Sequence, residues 1–263
     1  MSQTSLFKPK RSLGQNFLID QNIARKIIDS SGFKETESVL EIGPGKGALT
    51  DAIAPKVKSL IAVEKDHILA KELAMRFEHT NVSVVEKDFL TFDINKLPEN
   101  MKVIGNLPYN AATPIIEKII TNPKHFHSFY LTVQLEYGER IVGKPGSKTF
   151  GPLTCFIEYH AVAKKLFNIK NTAFYPRPKV HSCFLSLEIR KEPRYKVSNE
   201  RKFFNFIKQA FGQRRKTLAN ALSDKFGKEN AIQVLAQLGI QSNIRAEDLS
   251  LEELTKIFSI LST

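Results

Sequence analysis

Ser38-Val-Leu-Glu-Ile-Gly-Pro-Gly-Lys-Gly47 decides how the rest of this chain is read. Its first half is a short apolar run, the pattern of a buried strand. The run passes directly into Gly43-Pro44-Gly45-Lys46-Gly47, after which Leu49, Ile53 and Ala54 have helical spacing. A glycine-rich turn between a strand and a helix lets a ligand come close to the backbone. Gly43, Gly45 and Ala48 also satisfy the G-x-G-x-x-A dinucleotide pattern. The turn alone is a weak signal, and a tight packing turn without a ligand is the alternative.

Outward from that turn, strand and helix keep alternating. Residues 59–63 read as a second strand ending at Glu64, and Asp66 can cap the helix that carries Ile68, Leu69, Leu73 and Phe77. Residues 82–85 form a third strand, followed by Glu86-Lys87-Asp88. Residues 101–104 form a fourth, running into Asn106-Leu107-Pro108-Tyr109. A helix over 113–120 carries Pro114 in its first turn, where proline is tolerated. Residues 129–133, 161–167 and 180–189 complete the strands. The alternation predicts an α/β fold, a doubly wound, mostly parallel, seven-stranded sheet of the Rossmann-like kind. Upstream, Ile23, Ala24, Ile27 and Ile28 predict a helix ended by Gly32. Past Arg190 the strand pattern stops, and amphipathic helical segments begin at Phe203. The expected division is 1–190 for a ligand-binding catalytic domain and 191–263 for a small all-α domain.

The chain has 263 residues, 42% hydrophobic and 25% charged, enough for a real core and a solvated surface. No apolar run approaches the ~18 residues that span a bilayer, and the N-terminal stretch has no apolar core of a secretory signal. Two cysteines, Cys155 and Cys183, make neither a disulfide framework nor a metal motif, so no metal is expected and the compartment is read as cytoplasmic. Net charge is +12. Nine Lys/Arg against two acids between Lys191 and Lys216 give that junction +7, while residues 217–263 carry −2. A basic junction of this kind is either a solvated surface or the footprint of a polyanion such as RNA.

The strand ends carry the chemistry. Glu64 stands where a carboxylate accepts ribose hydroxyls, which suits a nicotinamide cofactor and S-adenosylmethionine alike. Asp88, past the next strand, can accept an adenine amino group, or it is simply a turn residue. Asn106 to Tyr109 suits a planar amine. The lone pair of an exocyclic adenine amine is delocalised into the ring. Two acceptors on its protons, the Asn106 side-chain oxygen and the Leu107 carbonyl, would draw the nitrogen toward tetrahedral geometry and expose that pair. Pro108 biases Leu107 toward an extended backbone. Tyr109 offers a stacking face worth roughly 1–3 kcal/mol, and Phe174, beside Pro176 and Pro178, is a candidate for the opposite wall. A base in folded RNA must be splayed out to reach such a pocket.

Five segments occur together and in order: Leu13-Gly-Gln-Asn-Phe-Leu18, Glu41-Ile-Gly-Pro-Gly-Lys-Gly47, Asn106-Leu-Pro-Tyr-Asn110, Phe174 to Val180, and Phe211-Gly-Gln-Arg-Arg-Lys-Thr-Leu218. In these the chain closely resembles the small-subunit ribosomal RNA adenine dimethyltransferases over nearly its whole length. The resemblance implies transfer of four methyl groups from S-adenosylmethionine, two to each of two adjacent adenosines near the 3′ end of that RNA, late in small-subunit biogenesis. It implies that Asn16, Leu18, Gly43, Glu64, Asp88 and Asn106 contact the cofactor, beside Gly45 of the glycine turn, and that Tyr109 and Phe174 bracket the base. Arg214, Arg215 and Lys216 are expected to meet RNA. The partner is then an immature small subunit, and nothing in the sequence suggests more than a monomer. Leu107 also separates the chain from related large-subunit enzymes, which usually carry Ile there. Gln134-Leu-Glu-Tyr-Gly-Glu-Arg140 departs from the family pattern at Leu135 and Tyr137. Three readings remain open: this enzyme, the same chemistry on large-subunit RNA or DNA, and a non-catalytic ribosome-assembly protein on the same fold.

Overall fold

The structure, a computed structural model, describes residues 15–108 and 111–262. Elements follow in the order β1 (Phe17–Leu18), α1 (Gln21–Ser31), β2 (Ser38–Ile42), α2 (Ala48–Ile53), β3 (Ser59–Glu64), α3 (His67–Arg76), β4 (Val82–Glu86), β5 (Met101–Asn106), α4 (Ala112–Ile120), β6 (Phe126–Gln134), α5 (Leu135–Ile141), α6 (Pro152–His160), β7 (Ala161–Ile169), β8 (Phe174–Tyr175), β9 (Ser182–Ile189), α7 (Glu200–Phe211), α8 (Leu218–Phe226), α9 (Lys228–Gln237) and α10 (Leu251–Leu261). Seven strands form one sheet in the order β4-β3-β2-β5-β6-β9-β7. Strands β4, β3, β2, β5 and β6 are mutually parallel, and β9 runs antiparallel to β6. Chain order reverses direction beside β2, which places a topological switch point between β2 and β5, where ligands of such sheets bind.

Each expected strand is present, with shifts of a few residues at most. Strand β5 extends through Asn106, so the first residue of the reaction motif is still held in the sheet ladder. Local chemistry sets the helix ends. Asp20 accepts the N–H groups of Asn22 and Ile23 to start α1, and Gly32, at φ +56°, ends it. Asp66 accepts the Ile68 N–H at 3.0 Å to start α3. A further pair, β1 with β8, joins residues 17–18 to 174–175 antiparallel, with Phe17 opposite Tyr175 and Leu18 opposite Phe174. The sequence predicts no strand at either place, because two residues are too short a run to show a period of two.

The chain divides into two compact units. One runs to Gly138 and includes Lys164–Lys191; the other joins Glu139–Ala163 to the region from Glu192 onward. The second unit resumes at Glu192, and residues 139–163, assigned from sequence to the catalytic domain, pack with the C-terminal helices. Phe150, Cys155 and Tyr159 share an apolar cluster with Phe203, Phe206, Leu222, Leu254 and Phe258. Their partners lie about 40 or more residues downstream, a distance over which local patterning carries no information. The first unit has its own cluster, in which Ile27, Val39, Leu60, Ile104 and Phe184 pack between sheet and helices.

Candidate active site

Four parallel strands, β4, β3, β2 and β5, end on one edge of the sheet. After β2, β4 and β5, the next residue donates a hydrogen bond to an adjacent strand. The Gly43 N–H donates to the Val63 carbonyl at 2.9 Å, Lys87 N–H to the Glu64 carbonyl at 2.8 Å, and Leu107 N–H to the Thr132 carbonyl at 3.1 Å. These cross-links hold the strand ends around a cleft of about 1300 Å³, counting the part open to solvent. Asn16, Leu18, Gly43, Gly45, Glu64, Asp88, Asn106, Leu107, Pro108 and Phe174 all line it. Residues spread from position 16 to position 174 are thus brought to one place. Tyr109 lies outside the described residues, as do Leu13, Gly14 and Asn110. Arg214, Arg215 and Lys216 belong to the other unit.

The acids of the cleft are already engaged by the backbone. Gly45 N–H donates to Glu64 Oε2 at 2.9 Å and Asp66 N–H to Oε1 at 2.8 Å. Burial pushes the Glu64 pKa up, and those amide bonds oppose the shift. Gly45 sits at φ +60°, and a Cβ on it would lie 2.9 Å from Phe17 Cδ1, so only glycine keeps the turn closed under that ring. Gly43, at φ +65°, would direct a Cβ into space with no atom within 4 Å. That clearance, beside the Glu64 carboxyl, is room for a ligand against the backbone. Asp88 Oδ1 accepts the Leu90 N–H at 2.9 Å, and Oδ2 pairs with Lys65 Nζ at 2.8 Å. The Lys65 bond is the largest cause holding the Asp88 pKa below its usual value. An open glycine cradle, a carboxyl for a diol and a carboxylate for an amine fit the adenosyl part of S-adenosylmethionine.

At the other end of the cleft, Asn106 Nδ2 donates to the Asn16 carbonyl at 3.0 Å. The amide is therefore oriented from 90 residues upstream. Among the described residues, Asn106 Oδ1 receives no hydrogen bond. The Leu107 side chain is buried, with Cδ2 3.0 Å from where a Gly105 Cβ would stand, which seats the residue while its carbonyl remains on the backbone. Phe174 is also buried and belongs to the apolar cluster of its unit, yet it faces the cleft. It is thus both a packed core aromatic and part of the site wall.

Two further residues bear on the site. Glu41 is a carboxyl inside β2 that lines the cleft at 1% exposure. Thr50 Oγ1 donates to its Oε2 at 2.7 Å, and burial pushes its pKa up to about 8. Its signal in the sequence is an acid inside an otherwise apolar strand. Tyr137, one of the two departures from the family pattern, shares a 2.7 Å hydrogen bond between its hydroxyl and Thr113 Oγ1 in the first turn of α4. It braces the helix that comes after the Asn106 motif.

In the second unit, Arg214 Nη2 donates to Glu247 Oε2 and to the Lys148 carbonyl, both at 2.8 Å. Arg215 and Lys216 are exposed and make no ion pair among the described residues. Among the described residues no group of His, Cys, Asp and Glu could hold a metal ion, and no helix is long and apolar enough to cross a membrane.

The model of the family described as ribosomal RNA adenine dimethylase matches residues 6–263. A ribosomal RNA small subunit methyltransferase A of Alkaliphilus oremlandii is 41% identical over 257 residues, covering 94% of this chain and 90% of that one. Among solved structures, a dimethyladenosine transferase from Plasmodium falciparum superposes with a TM-score of 0.79 at 24% identity, covering 92% of this chain and 95% of that one. The 23S rRNA methyltransferase ErmE gives 0.75 at 24% identity, covering 94% and 100%. At that identity the two structures speak for the fold.

Proposed function

The chain belongs to the ribosomal RNA adenine dimethylase family, and from that premise we propose how its cleft carries out the reaction and on which RNA. The enzyme transfers methyl groups from S-adenosylmethionine to adenines of ribosomal RNA. When bound, the cofactor supplies an electrophilic sulfonium methyl; Gly43, Gly45, Glu64 and Asp88 hold its adenosyl part, with Asn16 and Leu18 beside them. Asn106 Oδ1 and the Leu107 carbonyl accept the two amine protons of the target adenine. Held this way, the amine would present its lone pair to the methyl group that bound S-adenosylmethionine would supply, and the displaced proton would leave to solvent. No residue has to act as a strong base. For the second methyl one proton remains, so one acceptor suffices. Pro108 restricts the backbone at Leu107, and Tyr109 and Phe174 bracket the base.

The observation that carries this reading is the hydrogen bond from Asn106 Nδ2 to the Asn16 carbonyl. It leaves the oxygen end of the amide for the amine. The preferred substrate is small-subunit RNA within an immature subunit, at two adjacent adenosines near its 3′ end. The identity to a small-subunit relative and Leu107 support that choice. Arg215 and Lys216 take phosphate contacts, while Arg214, held by Glu247, shapes the surface beside them. The protein works as a cytoplasmic monomer. Under-methylated small and large subunits incubated with labelled cofactor test the assignment. Label mapping to paired adenosines near the small-subunit 3′ end is expected; label in large-subunit RNA, or none in either, would refute it.

A further inference from the structure

Lys118 lies in α4 and does not line the cleft, yet its ammonium is fully occupied by one loop of the cleft wall. Nζ donates to the carbonyls of Phe89 at 2.9 Å, Leu90 at 3.0 Å and Phe92 at 2.6 Å. An ammonium has three donors, and all three are used. It also stands 5.1 Å from the centroid of the Phe89 ring. The loop is the short helical turn Phe89–Thr91 that comes after Asp88. Asp88 holds the N-terminal side of that turn by accepting the Leu90 N–H, and Lys118 holds its carbonyl side. Burial pushes the Lys118 pKa down, and Asp88 and Asp93 oppose the shift, so the cation sits between the loop and its acids.

The placement gives this contact a use. Asp88, Phe89 and Leu90 line the cleft where an adenine amino group is expected. Helix α4 starts at Ala112, four residues after Pro108. One side chain therefore ties the wall facing the cofactor base to the helix that leaves the reacting loop. A planar guanidinium spreads its donors in a fork and matches three converging carbonyls less well than a point cation.

We propose that Lys118 is a positioning residue for S-adenosylmethionine, fixing the Asp88–Phe92 backbone against which the cofactor's adenine rests while touching neither cofactor nor RNA. The inference rests on the methyl-donor reading of the cleft. The test is binding of S-adenosylmethionine and S-adenosylhomocysteine by calorimetry without RNA, together with amide exchange across residues 89–92 and steady-state kinetics. Lys118→Met is expected to lose about tenfold in affinity for both ligands, to exchange faster at those amides, and to keep kcat near wild type at saturating cofactor while its KM for cofactor rises. Lys118→Arg, with charge kept and geometry changed, is expected to fall between the two. A folded Lys118→Met with unchanged affinity overturns the proposal, as does a loss of kcat at unchanged affinity. Should Lys118→Met not fold, Lys118→Arg decides: unchanged affinity and unchanged exchange overturn it. Wild-type protein that binds neither ligand would refute the cofactor assignment itself, and is distinguished by that control.

Discussion

Glu41→Gln isolates the cost of an ionisable carboxyl inside the sheet. Glu41 is 1% exposed, and its pKa rises from 4.5 to about 8, with burial the largest cause and the Thr50 bond pulling the other way. A carboxyl whose pKa is raised on folding contributes stability that is complete below the unfolded value and is lost as pH rises through the folded value. The window here runs from 4.5 up to about 8. At about 1.36 kcal/mol per unit, the whole span is worth roughly 5 kcal/mol, of which about 3 kcal/mol is gone by neutral pH. That is comparable to the total stability of an ordinary domain, about 5–15 kcal/mol. The amide of the variant never ionises and can still accept the Thr50 hydroxyl. It also introduces an NH2 group without a partner, which costs about 1–3 kcal/mol. The variant should therefore be less stable than wild type at about pH 5 and more stable at about pH 9, with the two curves crossing between. Urea unfolding of cofactor-free protein, followed by exchange protection of the β2 amides, measures this. His160 titrates in both proteins and cancels in the difference, whereas Glu64, whose charge is one cause of the Glu41 shift, titrates together with it. A difference in stability that does not change with pH would refute the reasoning.

The same geometry sets further expectations. Asn106→Ala should lower turnover by about 10²–10³, the usual cost of removing one preorganised polar group from a reacting centre, while RNA binding measured by filter retention stays near wild type. Retained turnover would remove Asn106 from the acceptor role. Gly45→Ala should cost about 1–2 kcal/mol for the left-handed backbone alone, with more from the Phe17 ring, and should weaken S-adenosylhomocysteine binding in calorimetry. Replacing Arg215 and Lys216 together should flatten the salt dependence of RNA binding by about 0.7–0.9 in log-log slope for each phosphate no longer neutralised. Arg214→Ala should instead lower the melting temperature, since it breaks the Glu247 pair and the bond to the Lys148 carbonyl.

The sheet is legible in the sequence because its signals are local. Each strand is a run of apolar residues, and each functional end lies within a few residues of that run, as Glu64 does after Val63 and Asn106 after Ile104. Asp66 can be read as a cap because a cap acts two or three residues away. Helices α5 and α6 escape such a reading, and with them the packing of residues 139–163, because Phe150 and Tyr159 pack against helices past residue 200. The same limit hides the hold of Lys118 on a loop 28 residues earlier and the pairing of Arg214 with Glu247. Asp88 can be placed in the cleft from its position after a strand, but its bond to Lys65 spans two different strand ends and has no signature in spacing. Tyr137 stands out in sequence only as an exception, and its hydroxyl bond to Thr113 gives that exception a structural use.

The pairing of residues 17–18 with 174–175 has a consequence for how the enzyme is made. A ribosome delivers the N-terminal strand of that pair early and its partner only after about two-thirds of the chain has been synthesised. Until then, the backbone of residues 17–18 has no strand to bond, and the Phe174 side of the cleft does not exist. The glycine turn, Glu64 and Asp88 are all in hand much earlier. A nascent chain thus has the glycine turn, Glu64 and Asp88 well before it has Phe174, which lines the same cleft.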